Sequence, residues 1–416
     1  MKNHTRILTI ILPGDEELSL SVGLKDRGHD VLKQLSELLG ISDLHLFGLS
    51  VVKDNQPLFL DLEQKLSLYL PKSWRKNSAT DKAILFLKVQ YFVENAQLLV
   101  KSEALQLYFA EVKRRVLRSQ CFDQEGLFFQ LASYALQVDL GDCKKPHAQH
   151  FSPPAFFPLW VVGKRGNDFI LQHTPGLHKE LEGVSSSVAA LLFIQEALSL
   201  SDVPLTSYQL FKNKGKTQGC VLLGLTSTGL EISEILNGDH QFLYSLTWST
   251  IHSVTFQGSR FDIRADGLPE KKLVLYSHSM LHAKHLLQHI SNSHRMHLNM
   301  KPFIKKLEEK QGPCRGTHRE KFITDGEDLD FYESDDELPL MKIFSCQWPE
   351  RATPGRGDVD DECAFEMSVD EPKEMIVDDP EDYMRFVKLW VGEPVDDPEN
   401  ILQFFKLVDS EFVYTL

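Results

Sequence analysis

Residues 184–203 read VSSSVAALLFIQEALSLSDV. The run has the length and composition of a helix, yet it is apolar on nearly every side. Such a helix is buried inside its domain, not laid across a surface. It therefore requires other helices around it, with Leu191, Leu192, Ile194 and Leu198 as expected core positions. It is too short to be a membrane span, and no apolar run in the chain approaches the ~20 residues that crossing a bilayer needs. A membrane, where one is met, is expected to be met from the cytosol without a covalent anchor.

The surrounding sequence changes period twice. Residues 6–92 alternate strand-like and helix-like runs: RILTIILP, ELSLSVGL, then GHDVLKQLSELLGI with Val31, Leu32, Leu35, Leu38 and Leu39 at helical spacing, then HLFGLSVV, PLFLDL and AILFLKVQYF. That order predicts a ubiquitin-like roll. Residues 93–202 read as a helical bundle. Within it, Leu105, Tyr108, Val112 and Val116 share one face, while Lys113, Arg114, Arg115 and Arg118 lie elsewhere. Residues 203–303 return to short strands separated by glycine-containing turns. One helix, from Met280 to about Met296, closes the unit. The pattern predicts a pleckstrin-homology or phosphotyrosine-binding type of barrel.

Charge divides the 416 residues differently. Residues 321–416 hold 27 acidic and 8 basic side chains, a net of −19; residues 1–320 hold 32 and 37, a net of +5. Nine of the 19 prolines follow residue 300. The expected organisation is an α+β multidomain head with a largely disordered acidic tail over 304–416. The six cysteines form no C-x-x-C pair and read as reduced thiols.

No Walker loop, G-x-S-x-G elbow, H-E-x-x-H helix, kinase triplet or C-x5-R phosphatase loop occurs, so no enzyme and no cofactor are expected. His282, His285 and His289 share a helix face at a spacing zinc sites use. No further ligand stands near them in sequence, so packing imidazoles and no metal are the expectation. Basic clusters are short and scattered in an acidic chain, which argues against nucleic acid.

Several phrases resemble the FERM head of the band 4.1 superfamily. His178, Val188-Ala189, Phe193-Ile194, Ala197 and Leu200 stand at the spacing of that family's middle-lobe signature, although Val203 and Pro204 replace the aromatic and glycine that usually follow. LASYALQVDLGD (131–142), TWSTIHSVTFQGSRFDI (247–263) and KKLVLYSHSMLHAKHLLQHISNSHRMHL (271–298) are further family phrases. HLFGLSVVKDNQPLFLDLEQKLSLY, FFPLWVVGKRGNDFILQH and MIVDDPED are similar to the willin-type subgroup. The resemblance implies a ubiquitin-like lobe over 6–92, an acyl-CoA-binding-protein-like bundle over 93–202 and a PH/PTB-like lobe over 203–303. It also implies a non-enzymatic scaffold, cytoplasmic and peripheral at the plasma membrane and apical junctions. Such a scaffold joins cytoplasmic tails of membrane proteins and junctional scaffolds to actomyosin and Hippo signalling. The alternative is a phosphoinositide-binding trafficking adaptor for receptor tails. Ezrin-like relatives continue into a long charged helix and an actin-binding segment. This tail is acidic and broken by prolines, which argues against direct filament binding.

Five surfaces are expected to act. The family's phosphoinositide cleft maps onto Lys65, Arg260 and Arg264. A strand edge near Thr250–Phe256 beside the last helix suits an added extended peptide. VDDPEDYMRFVKL (377–389) and VDDPENILQFFKL (395–407) repeat, and Phe386 and Phe404 fall in short docking helices that would fold back on the head. Tyr414 and Leu416 place apolar residues at the third-last and last positions, as one class of PDZ domain ligand does. Ser334, in ESDDE, suits an acid-directed kinase.

Overall fold

The computed structural model describes residues 5–42, 44–53, 56–71, 74, 83–100, 102–143, 151–214, 220–236, 239–311 and 412–415. Ser334, Phe386, Phe404 and Leu416 lie outside them.

Alternation builds the first lobe. Strands β1 (Thr5–Ile11) and β2 (Glu17–Gly23) form a hairpin, and helix α1 (Gly28–Leu39) follows. Strands β3 (Phe47–Lys53), β4 (Gln56–Phe59) and β5 (Ala83–Val89) complete a sheet in the order β2-β1-β5-β3-β4. In β1, Leu8 and Ile10 are wholly buried whereas Ile7 just before them is 72% exposed, the period of two expected of a sheet with one solvated face. Val31 and Leu35 of α1 fill the inner face.

The second lobe is helical: α2 (Leu105–Val116), α3 (Glu125–Leu140), α4 (Leu159–Arg165), α5 (Asn167–Lys179) and α6 (Ser186–Ala197). The Ser185 hydroxyl caps α6 by accepting from the Val188 amide at 3.3 Å. Residues 188–194 of α6 are all buried, so the helix is the lobe's centre, packed by α2 and α3. Phe109 meets Phe193 edge-on at 5.0 Å. Leu198, expected in the core, is only partly buried because α6 ends at Ala197. A polar pin crosses this interior. His178 Nε2 donates to the Gln137 Oε1 (3.1 Å) and to the Gly141 carbonyl (3.0 Å), and Gln137 Nε2 donates to the Val184 carbonyl (2.7 Å).

The third lobe is a sheet of β6 (Thr206–Phe211), β7 (Cys220–Leu225), β8 (Gly229–Leu236), β9 (Asp239–Thr247), β10 (Ile251–Gln257), β11 (Arg260–Ala265), β12 (Lys272–Tyr276) and β13 (Phe412–Thr415). Its order is β13-β10-β11-β12-β6-β7-β8-β9. Gly229 has φ +158°, and a Cβ there would lie 2.0 Å from the Leu246 carbonyl oxygen, so the β8–β9 approach admits only glycine. Helix α7 (Met280–Gln311) closes the barrel.

α7, at 32 residues, is nearly twice as long as the sequence periodicity suggests, which stops near Met296. The extension has its own packing. Ala283, Leu286, Leu287 and Ile290 belong to the barrel core, whereas Met296 and Met300 enter the continuous core of the first two lobes, with Phe303 and Ile304 against it. One helix thus serves two cores. Pro302 removes one backbone donor within the helix without ending it. Among the described residues, no helix is long and apolar enough to cross a membrane.

Candidate functional site

β10 is the strand on which the site is built. One side pairs with β11, from Ile251↔Ala265 to Gln257↔Arg260, with a bulge between Ile251 and Ser253. Ile251 and Val254 point into the barrel core, and α7 packs across the same strand. The expected edge began at Thr250; that residue lies instead in a 3-10 turn, its hydroxyl donating to the Thr247 carbonyl at 2.9 Å.

The other side of β10 carries the chain's own C-terminal strand. β13 runs antiparallel to it, with Ser253↔Thr415, Val254↔Tyr414, Thr255↔Val413 and Phe256↔Phe412 in register. Tyr414, read from sequence as part of a PDZ-type terminus, is therefore a residue of a sheet. Four residues with β-branched and aromatic character, FVYT, carried the signal. A strand added to an edge satisfies backbone groups that an open edge leaves exposed.

α7 fixes this edge relative to the first lobe through imidazoles. His289 is wholly enclosed. Its Nε2 donates to the Gln90 carbonyl at 3.1 Å, so its Nδ1 is the acceptor of the hydrogen bond that the Tyr208 hydroxyl donates. The rings of Phe59 and Tyr91 flank it at 5.0 and 5.7 Å. Burial pushes its pKa down to about 4. His285 stands edge-on to Tyr69 at 5.4 Å; burial, reinforced by Lys284, His282 and Lys53, takes it to about 3. Gln56 of β4 bonds the Gln209 backbone, accepting from its amide at 2.9 Å and donating to its carbonyl at 3.4 Å. Where the three lobes meet, a small cleft is lined by Tyr91, Phe92, Leu225, Met296, His297 and Met300. His297 Nδ1 and Glu94 Oε1 lie 2.8 Å apart at its rim.

The three residues expected at a phosphoinositide site occupy two places. Lys65 is exposed on the first-lobe turn, in a backbone bridge to Arg27, whose guanidinium meets Glu63 at 3.4 Å. Arg260 and Arg264 alternate with the buried Phe261 and Ile263 on β11, so they face away from the barrel core. Arg260 is forked onto Asp262 at 2.9 and 3.0 Å, and Lys272 meets the same carboxylate at 2.9 Å. Arg264 is exposed. Sequence reading missed the Asp262 pairing, since it depends on alternation along β11 and register with β12. Of the histidines that invited a metal, His285 and His289 are packed against aromatic rings, and among the described residues no cluster of three metal-ligating side chains occurs.

Three family models match the chain in order: the FERM N-terminal domain over residues 10–72, the FERM central domain over 94–208 and the FERM C-terminal PH-like domain over 215–304. The chain is a FERM-domain protein of the band 4.1 superfamily. FERM domains are in general non-catalytic binding modules of membrane–cytoskeleton linkage. Human tyrosine-protein phosphatase non-receptor type 13 is 25% identical over 311 residues, covering 72% of this chain but 12% of the phosphatase. Protein expanded of Drosophila melanogaster is 25% identical over 391 residues, 74% of this chain and 27% of that protein. The FERM chain thus spans a small part of both relatives, and in the phosphatase that part is its FERM domain. Among solved structures, the FERM and C-terminal domain complex of Drosophila Merlin aligns with a TM-score of 0.58 at 18% identity, covering 73% of this chain and 99% of that one. The human myosin 7b C-terminal MyTH4-FERM domain, in complex with the harmonin-a PDZ3 domain, aligns with a TM-score of 0.50 at 11% identity, over 70% and 60%. At these identities the likeness is one of fold.

Proposed function

We propose that this FERM protein is a non-enzymatic scaffold of the membrane cortex whose third lobe receives an extended peptide on β10. The observation that carries the reading is the antiparallel strand already seated there. β10 offers backbone groups in a fixed array because β11 holds its other side. An incoming cytoplasmic tail of a membrane protein would gain affinity from main-chain hydrogen bonds and specificity from alternate side chains. The finer reading is the willin-type one: a protein at the plasma membrane and apical junctions that feeds Hippo signalling and actomyosin. Its support is the sequence likeness to Protein expanded and to the willin-type phrases. Lys65 and Arg264 are the proposed contacts to anionic phosphoinositide headgroups, with Arg260 weakened by Asp262.

Residues 412–415 of the same chain are the resident occupant of the edge, so a ligand must displace them. The Drosophila Merlin structure is itself a complex of a FERM domain with a C-terminal domain. Proximity labelling in an epithelial monolayer, with the full chain and with Thr255→Pro, tests the reading. Junctional membrane proteins should be labelled by the first and lost with the second. Equal labelling by both, with Thr255→Pro folded by circular dichroism, refutes docking on β10.

A further inference from the structure

The first-lobe sheet ends at β2, and among the described residues no strand pairs with its outer side. The phase of the hairpin shows which groups stand there. The Leu12 amide donates to the Glu16 carbonyl at 2.8 Å, and Ile11 faces Glu17 in the next pair. Antiparallel pairs alternate between bonded and non-bonded, and the β1–β2 register runs without a shift. Leu18, Leu20 and Val22 therefore bond β1, while Glu17, Ser19, Ser21 and Gly23 turn their backbone groups outward. Gly23 has the same phase: its amide donates to Asp26 Oδ2 at 2.6 Å, and its carbonyl accepts from the Asp26 amide at 3.2 Å. That leaves the amides and carbonyls of Glu17, Ser19 and Ser21 for a further strand.

Open edges are normally blunted. β4, at the other side of the same sheet, is four residues long, carries Pro57 and has its Gln56 committed to Gln209. β9, at an edge of the third lobe, has a bulge against β8. β2 runs for seven residues with neither proline, lysine nor bulge. We propose that this edge pairs with β2 of a second copy of the chain, antiparallel, with Ser19 on Ser19 at a two-fold axis. Among antiparallel registers this one alone uses all three open residues of both copies. Ser19 meets its own counterpart, and Glu17 of each copy meets Ser21 of the other, with two main-chain bonds in each pair. The contact is isologous, so it closes at two chains. Charge sets the direction. A parallel strand would lay Asp15, Glu16 and Glu17 of the two copies side by side. The antiparallel one sends the two acidic turns to opposite ends, each toward the end of the other strand that the exposed Lys25 follows. The contact is smaller than the ~1,200 Å² at which stable interfaces begin, so the pair is weak in free solution and forms where heads are concentrated on one surface.

The test uses the full chain. Sedimentation velocity at rising concentration should show a monomer–dimer equilibrium. Ser19→Pro deletes the donor at the axis and no bond to β1. It should weaken association by at least about tenfold, or ~1.4 kcal/mol, with circular dichroism checking that it folds. Single cysteine variants read the register. Bonded antiparallel pairs stand about 5.5 Å apart at Cα, within the reach of a disulfide. Under copper-phenanthroline oxidation, Ser19→Cys should therefore join two copies at position 19, identified by mass spectrometry of the linked peptides. Ser21→Cys should not, because its counterpart stands four residues along the strand, about 14 Å away. A chain that stays monomeric throughout overturns the proposal. So does a dimer that Ser19→Pro leaves intact, or cross-linking at position 21 as readily as at 19, since either puts the contact elsewhere. Should Ser19→Pro fail to fold, the two cysteine variants decide.

Discussion

Glu111, wholly buried on α2, is bonded by Arg115 one turn later, Nε to Oε1 at 3.0 Å. The same guanidinium donates to the Leu205 carbonyl at 2.5 Å and lies 4.6 Å from the centre of the Phe92 ring. Arg114 holds the other carboxylate oxygen at 2.6 Å. One side chain thus joins the end of the first lobe, the second lobe and the entry to the third. Removing one partner of a buried ion pair costs about 3–5 kcal/mol, since the remaining charge stays buried. Arg115→Met should sit near the lower figure, because Arg114 still serves Glu111. Urea unfolding is the measurement. The double change Glu111→Gln with Arg115→Met should cost clearly less than the two single costs together, as expected of coupled groups. Simple additivity would show the pair to be unconnected.

Acid should loosen the joint between the first and third lobes. His289 and His285 titrate in the folded protein near 4 and 3, below the ordinary value of 6.5. The unfolded chain therefore binds protons first as pH falls. Their contribution is fully present above about pH 6.5 and is lost progressively below it, by up to ~1.4 kcal/mol per pH unit for each histidine. Urea midpoints at pH 7.5, 5.5 and 4.5 should decline, and His289→Gln should flatten the decline. A slope unchanged in that variant would remove His289 as a cause.

The double role of α7 predicts a long-range effect of its far end. Met300, 3% exposed, packs in the core of the first two lobes, about five turns along α7 from Ala283 of the barrel core. Met300→Ala should cost about 2–5 kcal/mol. It should also raise hydrogen exchange in Tyr91, Phe92 and Glu94, which line the adjoining cleft, and not in β9, which does not. Exchange raised uniformly would mean that Met300 supports the whole molecule and not this seam.

Lipid binding, if it uses the proposed residues, should rank them. Vesicles containing phosphoinositide should lose the full chain on Lys65→Ala and on Arg264→Ala, each contact being worth ~1 kcal/mol, or about fivefold. Arg260→Ala should matter least, because Asp262 already engages it. Raising salt from 50 to 150 mM should shrink all the differences, as the Debye length falls toward ~8 Å. Co-sedimentation in which Arg260→Ala is the most damaging change would contradict this order.

Local pattern alone determined much of this protein. Period two in β1, an all-round apolar α6 capped by Ser185, and the helical face of Leu105, Tyr108, Val112 and Val116 each specify an element, because backbone geometry turns spacing directly into a buried face. The order of those elements carried the three-lobed FERM fold. Other features depended on partners distant in sequence. Arg260 reads as a free cation until β11 places Asp262 on the same face and β12 brings Lys272 to the same carboxylate. His282, His285 and His289 read as packing imidazoles on one helix face, but only the fold supplies what two of them pack against: Tyr69 for His285, and Phe59 and Gln90 for His289. α7 reads as ending near Met296 until the cores of two lobes give Met296 and Met300 a place to pack. FVYT reads as a free terminus until β10, about 160 residues earlier, offers an edge. Spacing records what a segment can become; which charges are paired and which edge is covered follows from contacts that exist only once the chain has folded.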